Sequence, residues 1–106
     1  MYYKKTLFAF ILTLVFPAIS FSQVSFKLAS YNCLQLDRSG FNARKDYYRT
    51  ILNEIDPDIF IIQEIKEAAA ADSLLSLLNE SSVSFSRAAY INGPDMDNML
   101  FYRDNL

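Results

Sequence analysis

The sequence predicts an α/β fold made of a βαβ unit, a second helix and then a β-hairpin. Three observations carry this. Asp58-Ile59-Phe60-Ile61-Ile62-Gln63-Glu64 is a short, nearly continuous apolar run rich in β-branched and aromatic side chains, with Pro57 and Asp58 at its start. Such a run reads as a strand buried on both faces. A helical pattern precedes it, and another strand candidate precedes that helix. Finally, Asn92-Gly93-Pro94-Asp95 is a strong turn signal with strand-like stretches on either side.

Ser25 to Asn32 is the first strand candidate, with Phe26 and Leu28 on one face and Lys27, Ala29 and Tyr31 on the other. Leu34 to Gly40 reads as a polar loop. Phe41 to Asp56 is the first helix, because Phe41, Tyr48, Ile51, Leu52 and Ile55 recur at threes and fours. Asn42 is a weak cap with no capping-box partner. Pro57 disfavours helical backbone at Asp56 and ends the helix there. Glu67 to Asn79 is the second helix, striped by Ala68, Ala71, Leu74, Leu75 and Leu78, and Ser81 and Ser82 break it. Val83 to Ile91 and Asp97 to Arg103 form the hairpin; Asn98, Leu100 and Tyr102 share one face of the second strand and Met99 and Phe101 the other.

The chain has 106 residues. Its start has the form of a secretory signal peptide: lysines at positions 4 and 5, an apolar run from Thr6 to Phe21, and small residues at Ser20 and Ser22. The run contains Pro17 and is shorter than the ~20 residues of a spanning helix, so cleavage near Ser22/Gln23 is expected rather than a stable membrane anchor. Residues 1–22 are then the signal and residues 23–106 one partial domain, secreted or periplasmic. The remainder carries 8 basic and 12 acidic residues, a net charge of −4, unlike a protein that grips nucleic acid through a broad basic face. A lone Cys33 has no internal disulfide partner and reads as a small residue packed at a strand end. The sequence contains no histidine, which excludes Ser-His-Asp and Cys-His triads, and the common zinc sites, from within these residues.

The polar ends of the two predicted parallel strands are the candidate site. A βαβ crossover makes its strands parallel, so their C-terminal ends share one sheet edge. In open α/β sheets that edge is where ligands bind. Adjacent strands would bring Asn32 and Glu64 together there. A carboxylate and an amide oxygen are hard ligands, suited to Mg²⁺, Mn²⁺ or Ca²⁺. The plainer reading is that a strand-end carboxylate simply meets solvent. Arg38, Arg44 and Arg49 are within reach of a phosphate on this layout, but arginines on a helix face are mostly solvated. Tyr31, Tyr47 and Tyr48 read as packing residues, and Asp97-Asn98 as part of the turn, with a place flanking the substrate cleft as the alternative.

The pattern Leu28-Ala29-Ser30-Tyr31-Asn32, then Arg44 and the Tyr47-Tyr48-Arg49-Thr50-Ile51-Leu52 helix, then Pro57-Asp58-Ile59-Phe60-Ile61-Ile62-Gln63-Glu64, resembles the start of the endonuclease/exonuclease/phosphatase superfamily. These are deoxyribonuclease-like metal-dependent phosphohydrolases. The stretch Gly93-Pro94-Asp95-Met96-Asp97-Asn98-Met99-Leu100-Phe101-Tyr102 looks like the hairpin of secreted bacterial members, and the likeness runs from about residue 26 to 103. It implies the N-terminal half of a four-layer α/β sandwich. It also implies Asn32 in the active site orienting metal or phosphate, Glu64 on a catalytic Mg²⁺, and Gln63 supporting Glu64 or the strand end. The implied chemistry is in-line attack of water on a phosphate ester in a nucleic acid, a nucleotide or a phospholipid headgroup. The family's Asp-x-Asn and Ser-Asp-His motifs have no counterpart in these residues. The expectation is therefore a fragment without turnover of its own and poorly soluble, with a non-catalytic exported binding module as the alternative and an ordinary βαβ domain as a third reading.

Overall fold

A computed structural model describes residues 22–106. The expected signal peptide lies almost entirely outside the described residues. Among these, no helix is long and apolar enough to cross a membrane. The chain is α/β: β1 (Leu28–Leu36), α1 (Arg38–Ile55), β2 (Ile59–Ile65), α2 (Ala68–Leu78), β3 (Phe85–Arg87) and β4 (Asp97–Arg103). The four strands form one mixed sheet in the order β1-β2-β4-β3. β1 and β2 are parallel, as a βαβ unit requires, and β4 runs antiparallel to both β2 and β3.

Each element has a local cause. α1 starts at Arg38, ahead of the expected Phe41, because Asp37 and not Asn42 is the cap. Its extended backbone lets Oδ1 accept from the Gly40 amide at 2.6 Å, satisfying a donor that the first turn leaves free. The helix stops where Pro57 required, with Asp56 as a left-handed cap whose amide donates to the Leu52 carbonyl at 2.8 Å. The helix leaves Phe41, Tyr48 and Leu52 buried, with Ile51 and Ile55 half-buried beside them. α2 buries Ala70, Ala71, Leu74, Leu77 and Leu78, a stripe rotated slightly from the expected one, with Leu75 partly covered. The fully buried alanines bring this helix close to its neighbours.

Both helices pack on one sheet face, and one continuous core joins them to Cys33, Leu36, Phe60, Ile62, Ile65, Phe85, Met99 and Phe101. Phe60 and Phe101 are Cα partners across β2 and β4, and their rings stack with centroids 6.1 Å apart. The other sheet face carries no layer among the described residues. There Leu28 aligns with Ile59 and Ile59 with Tyr102, while Ser30 aligns with Ile61 and Ile61 with Leu100. Leu28, Leu100 and Tyr102 are exposed and Ile59 and Ile61 half-buried. This corrects one expectation. β2 is buried on one face only; on β1, whose two faces divide as expected, the packed face is the one bearing Ala29 and Tyr31. The first expected strand of the hairpin shrinks from Val83–Ile91 to Phe85–Arg87, and residues 88–96 form a long connection rather than a tight turn. The expected two faces of β4 hold: Met99 and Phe101 are buried and Asn98, Leu100 and Tyr102 exposed.

The N-terminal end of β2 is pinned by ion pairs. Asp58 accepts from the Lys27 amide at 2.6 Å and pairs with Arg103 at 3.3 Å, while Arg103 also pairs with Asp56 and donates to the Pro57 carbonyl at 3.2 Å. One aspartate thus fixes the start of β2 to the residue before β1 and to the end of β4.

Candidate functional site

The opposite, C-terminal edge of β1 and β2 holds the candidate site. Both strands break their regular pleat there. In β1, Cys33 and Leu36 are both fully buried although three residues apart, a spacing that a regular strand sends to opposite faces. The break is at Leu34 and Gln35, with φ of 50° and 58°. In β2, Ile62 and Ile65 are likewise both buried, and Glu64 between them has φ of 61°. The registers record both irregularities: Asn32 aligns with Gln63, yet the next β1–β2 pair is Leu36 with Ile65. Against β4, Ile62 pairs with Met99 and Ile65 with Asp97. Left-handed backbone is uncommon for side chains of these types and is held here by the surrounding pairing. It also keeps Glu64 out of the core, since strict alternation with Phe60 and Ile62 would turn its carboxylate toward the helices.

The outcome is a side-chain pair across two strands. Asn32 Nδ2 donates to Glu64 Oε1 at 3.1 Å, and Asn32 Oδ1 accepts from the Leu34 amide at 2.8 Å. The amide of Asn32 is thus fixed at both ends, one on the bulge and one on the carboxylate. Glu64 is half-buried and keeps its second oxygen, Oε2, outside this bond. Gln63 does not touch Glu64: its Nε2 donates to Ser30 Oγ at 2.7 Å and ties β2 to β1 on the uncovered face.

Three other groups meet at this edge. Arg44 reaches from α1 to the strand end, donating from Nη1 to the Cys33 carbonyl at 2.9 Å and from Nε to the Gly40 carbonyl at 3.3 Å, with its guanidinium 5.7 Å from the Tyr48 ring centroid. Asp97, the Cα partner of Ile65, accepts from Tyr90 Oη at 2.6 Å and from the Gly93 amide at 2.8 Å, which folds the 88–96 connection back onto the start of β4. Partial burial, reinforced by Asp97 and the nearby Glu67 carboxylate, pushes the Tyr90 phenol up to about 12. Glu67 Oε1 accepts from the Arg38 amide at 2.7 Å, joining the start of α2 to the start of α1.

The arrangement joins Asn32 and Glu64 as the parallel strands required, and adds Asp97 at the same end of the neighbouring strand. Arg49 is not part of it: it pairs with Glu80 at 2.9 Å, and with Asp46, on the far side of α1. Tyr31 and Tyr48 pack edge to face at 6.1 Å, as expected, whereas Tyr47 is 73% exposed. Arg44 departs from the expected solvated helix-face charge, because its guanidinium has two backbone carbonyls and an aromatic face as partners. Gly40 leaves room for it: a Cβ there would lie 3.2 Å from Arg44 Nη2 and 3.1 Å from Asp37 Oδ1.

Among the described residues no group of three or more His, Cys, Asp or Glu side chains is placed to hold a metal ion. The residues present still fit Mg²⁺ in part, since that ion commonly takes one or two carboxylates and fills its octahedron with water and phosphate oxygens. Glu64 would hold it, and Asn32, whose amide nitrogen faces the carboxylate, would orient Glu64. Compared with protein-family models and with curated proteins, the chain matches none.

Proposed function

We propose that the Asn32–Glu64 edge is one half of a divalent-metal site for phosphate-ester hydrolysis, in a protein exported from the cell. The observation that carries this reading is the 3.1 Å bond from Asn32 Nδ2 to Glu64 Oε1, made between two strand ends that both adopt left-handed backbone. Departures from regular backbone at ligand-binding edges are characteristic of functional sites, where surrounding structure sustains a conformation that local preference disfavours. The bulges bury Cys33, Leu36, Ile62 and Ile65 together while keeping Glu64 out of the core. They also aim one carboxylate and one amide at each other on the ligand-binding edge of a parallel pair.

In this reading Glu64 supplies the negative charge that retains Mg²⁺, with Mn²⁺ or Ca²⁺ able to take its place. Asn32 holds the carboxylate at a single orientation. When bound, the ion supplies charge neutralisation at the phosphoryl and leaving oxygens. The resemblance to the endonuclease/exonuclease/phosphatase superfamily supports the substrate class: a phosphate ester of a nucleic acid, a nucleotide or a phospholipid headgroup. The groups that activate water and contact the phosphate in that family have no counterpart among these 106 residues, so these residues by themselves are expected to bind metal without turning over substrate.

A thermal-shift titration with MgCl₂ tests the reading. The melting temperature should rise saturably with Mg²⁺, as binding to the native state alone requires. Glu64→Gln should abolish the rise while leaving the metal-free melting temperature within a few degrees. An equal Mg²⁺ response in the wild type and Glu64→Gln would rule out Glu64 as the metal carboxylate.

A further inference from the structure

We infer that Arg44 is the positioning residue of the Asn32–Glu64 pair, acting through the carbonyl of Cys33. The functional meaning of this inference rests on the proposed metal site; the contact geometry does not. Three residues of β1, Cys33 to Gln35, stand opposite the single residue Glu64 of β2, so this stretch lies outside the regular ladder. A backbone carbonyl left out of the ladder at a half-covered edge needs another donor. Arg44 Nη1 is that donor, at 2.9 Å from the Cys33 oxygen.

The guanidinium is itself held from two further sides. Its Nε donates to the Gly40 carbonyl at 3.3 Å, and its Cζ lies 5.7 Å from the ring centroid of Tyr48, a residue only 3% exposed. A planar group with donors fixed in a fork loses less freedom on making such bonds than a lysine ammonium. The anchor is therefore stiff, and it reaches the residue immediately after Asn32. The N–H of the same peptide unit as the Cys33 oxygen, the Leu34 amide, donates to Asn32 Oδ1 at 2.8 Å. Arg44 thus fixes, through that oxygen, the peptide whose N–H holds the Asn32 side chain. Without it, Leu34 and Gln35 have less to hold them at positive φ, a region that residues of their types avoid. The bulge should then relax, and Asn32 Nδ2 should lose Glu64. No comparable link runs from Arg38 or Arg49, whose contacts are with Glu67 and with Glu80 and Asp46.

The test uses the full chain and two readouts. The first is the side-chain amide resonance of Asn32 by heteronuclear NMR without metal, compared among wild type, Arg44→Met, Arg44→Lys and Glu64→Gln. The second is Mn²⁺ affinity from water-proton relaxation. Arg44→Met should shift the Asn32 side-chain amide toward its Glu64→Gln position and weaken Mn²⁺ binding tenfold or more. Arg44→Lys, which keeps a donor for the Cys33 oxygen but loses the fork that also holds Gly40 and the seat on Tyr48, should fall between wild type and Arg44→Met in both readouts. If Arg44→Met does not fold, Arg44→Gln replaces it with the same expectation. An Asn32 resonance unchanged in a folded Arg44→Met protein overturns the inference, whatever happens to its melting temperature. An Asn32 resonance that moves as expected in a protein that binds no Mn²⁺ at all supports the positioning role and sinks the metal site instead.

Discussion

At the scale of single residues, one buried side-chain polar atom among the described residues stands without a hydrogen-bond partner of ordinary geometry. Tyr48 Oη is buried beside the Cys33 thiol and makes no hydrogen bond of ordinary geometry. A buried hydroxyl left unpaired costs about 1–3 kcal/mol. Tyr48→Phe keeps the ring that stacks on Phe41 at 6.0 Å and faces Tyr31, and removes that penalty at the expense of a weak contact with the Cys33 thiol. Urea unfolding should therefore show the variant about 1 kcal/mol more stable than wild type. Cys33 gives a second expectation. Burial pushes its thiol up to about 11, outweighing the lowering by the neighbouring Tyr48 hydroxyl and the Arg44 charge. In the unfolded chain the thiol ionises near pH 8.5, so between about pH 9 and 11 the unfolded state loses its proton first. Stability should fall across that window by about 2–3 kcal/mol, and Cys33→Ala should flatten this part of the fall.

At the scale of elements, caps and strand ends decide the geometry. Asp37 alone among the residues flanking α1 accepts a first-turn amide through its side chain. Asp37→Ala should cost about 1 kcal/mol in chemical denaturation, and Asn42→Ala almost nothing, which reverses the cap expected from sequence. Elements whose signal is local are legible in the sequence. The Ile59–Ile62 run and Pro57 locate β2 and the end of α1, and the parallel pairing they imply brings Asn32 and Glu64 to one edge. The bulges are not legible there. Leu34, Gln35 and Glu64 are not residues that announce positive φ, and their conformation is set by the register of β1 and β4 against β2. The same cause hides Arg44. Its partner is a carbonyl that a bulge displaces from the ladder, so in the sequence it is only another charge on a helix. The 88–96 connection replaces a tight hairpin because Asp97 gathers Tyr90 and Gly93 onto itself, a contact that turn statistics around Asn92-Gly93 do not contain.

At the scale of the whole molecule, the sheet has one packed face and one bare one. Leu28 and Leu100 are 55% and 36% exposed on the bare face, with Ile59, Ile61 and Tyr102 between and beside them. A contiguous apolar surface of this kind promotes self-association. The chain should therefore elute from size exclusion as concentration-dependent oligomers. Replacing Leu28 and Leu100 together by lysine should shift it toward monomer without loss of helical circular dichroism. An unchanged elution profile would mean that the bare face is not what drives association. The candidate site opens at the edge of this same sheet, on the side where Asn32 and Gln63 continue the face of Ser30 and Ile61.

The central claim is that Glu64, oriented by Asn32, holds a divalent cation. Paramagnetic line broadening on titration with Mn²⁺ tests it most directly. The account predicts that substoichiometric Mn²⁺ selectively broadens the resonances of Asn32, Leu34, Glu64 and Ile65, that excess Mg²⁺ restores them, and that Glu64→Gln removes the effect. Broadening that follows the exposed acidic residues at large, or that persists in Glu64→Gln, would contradict it.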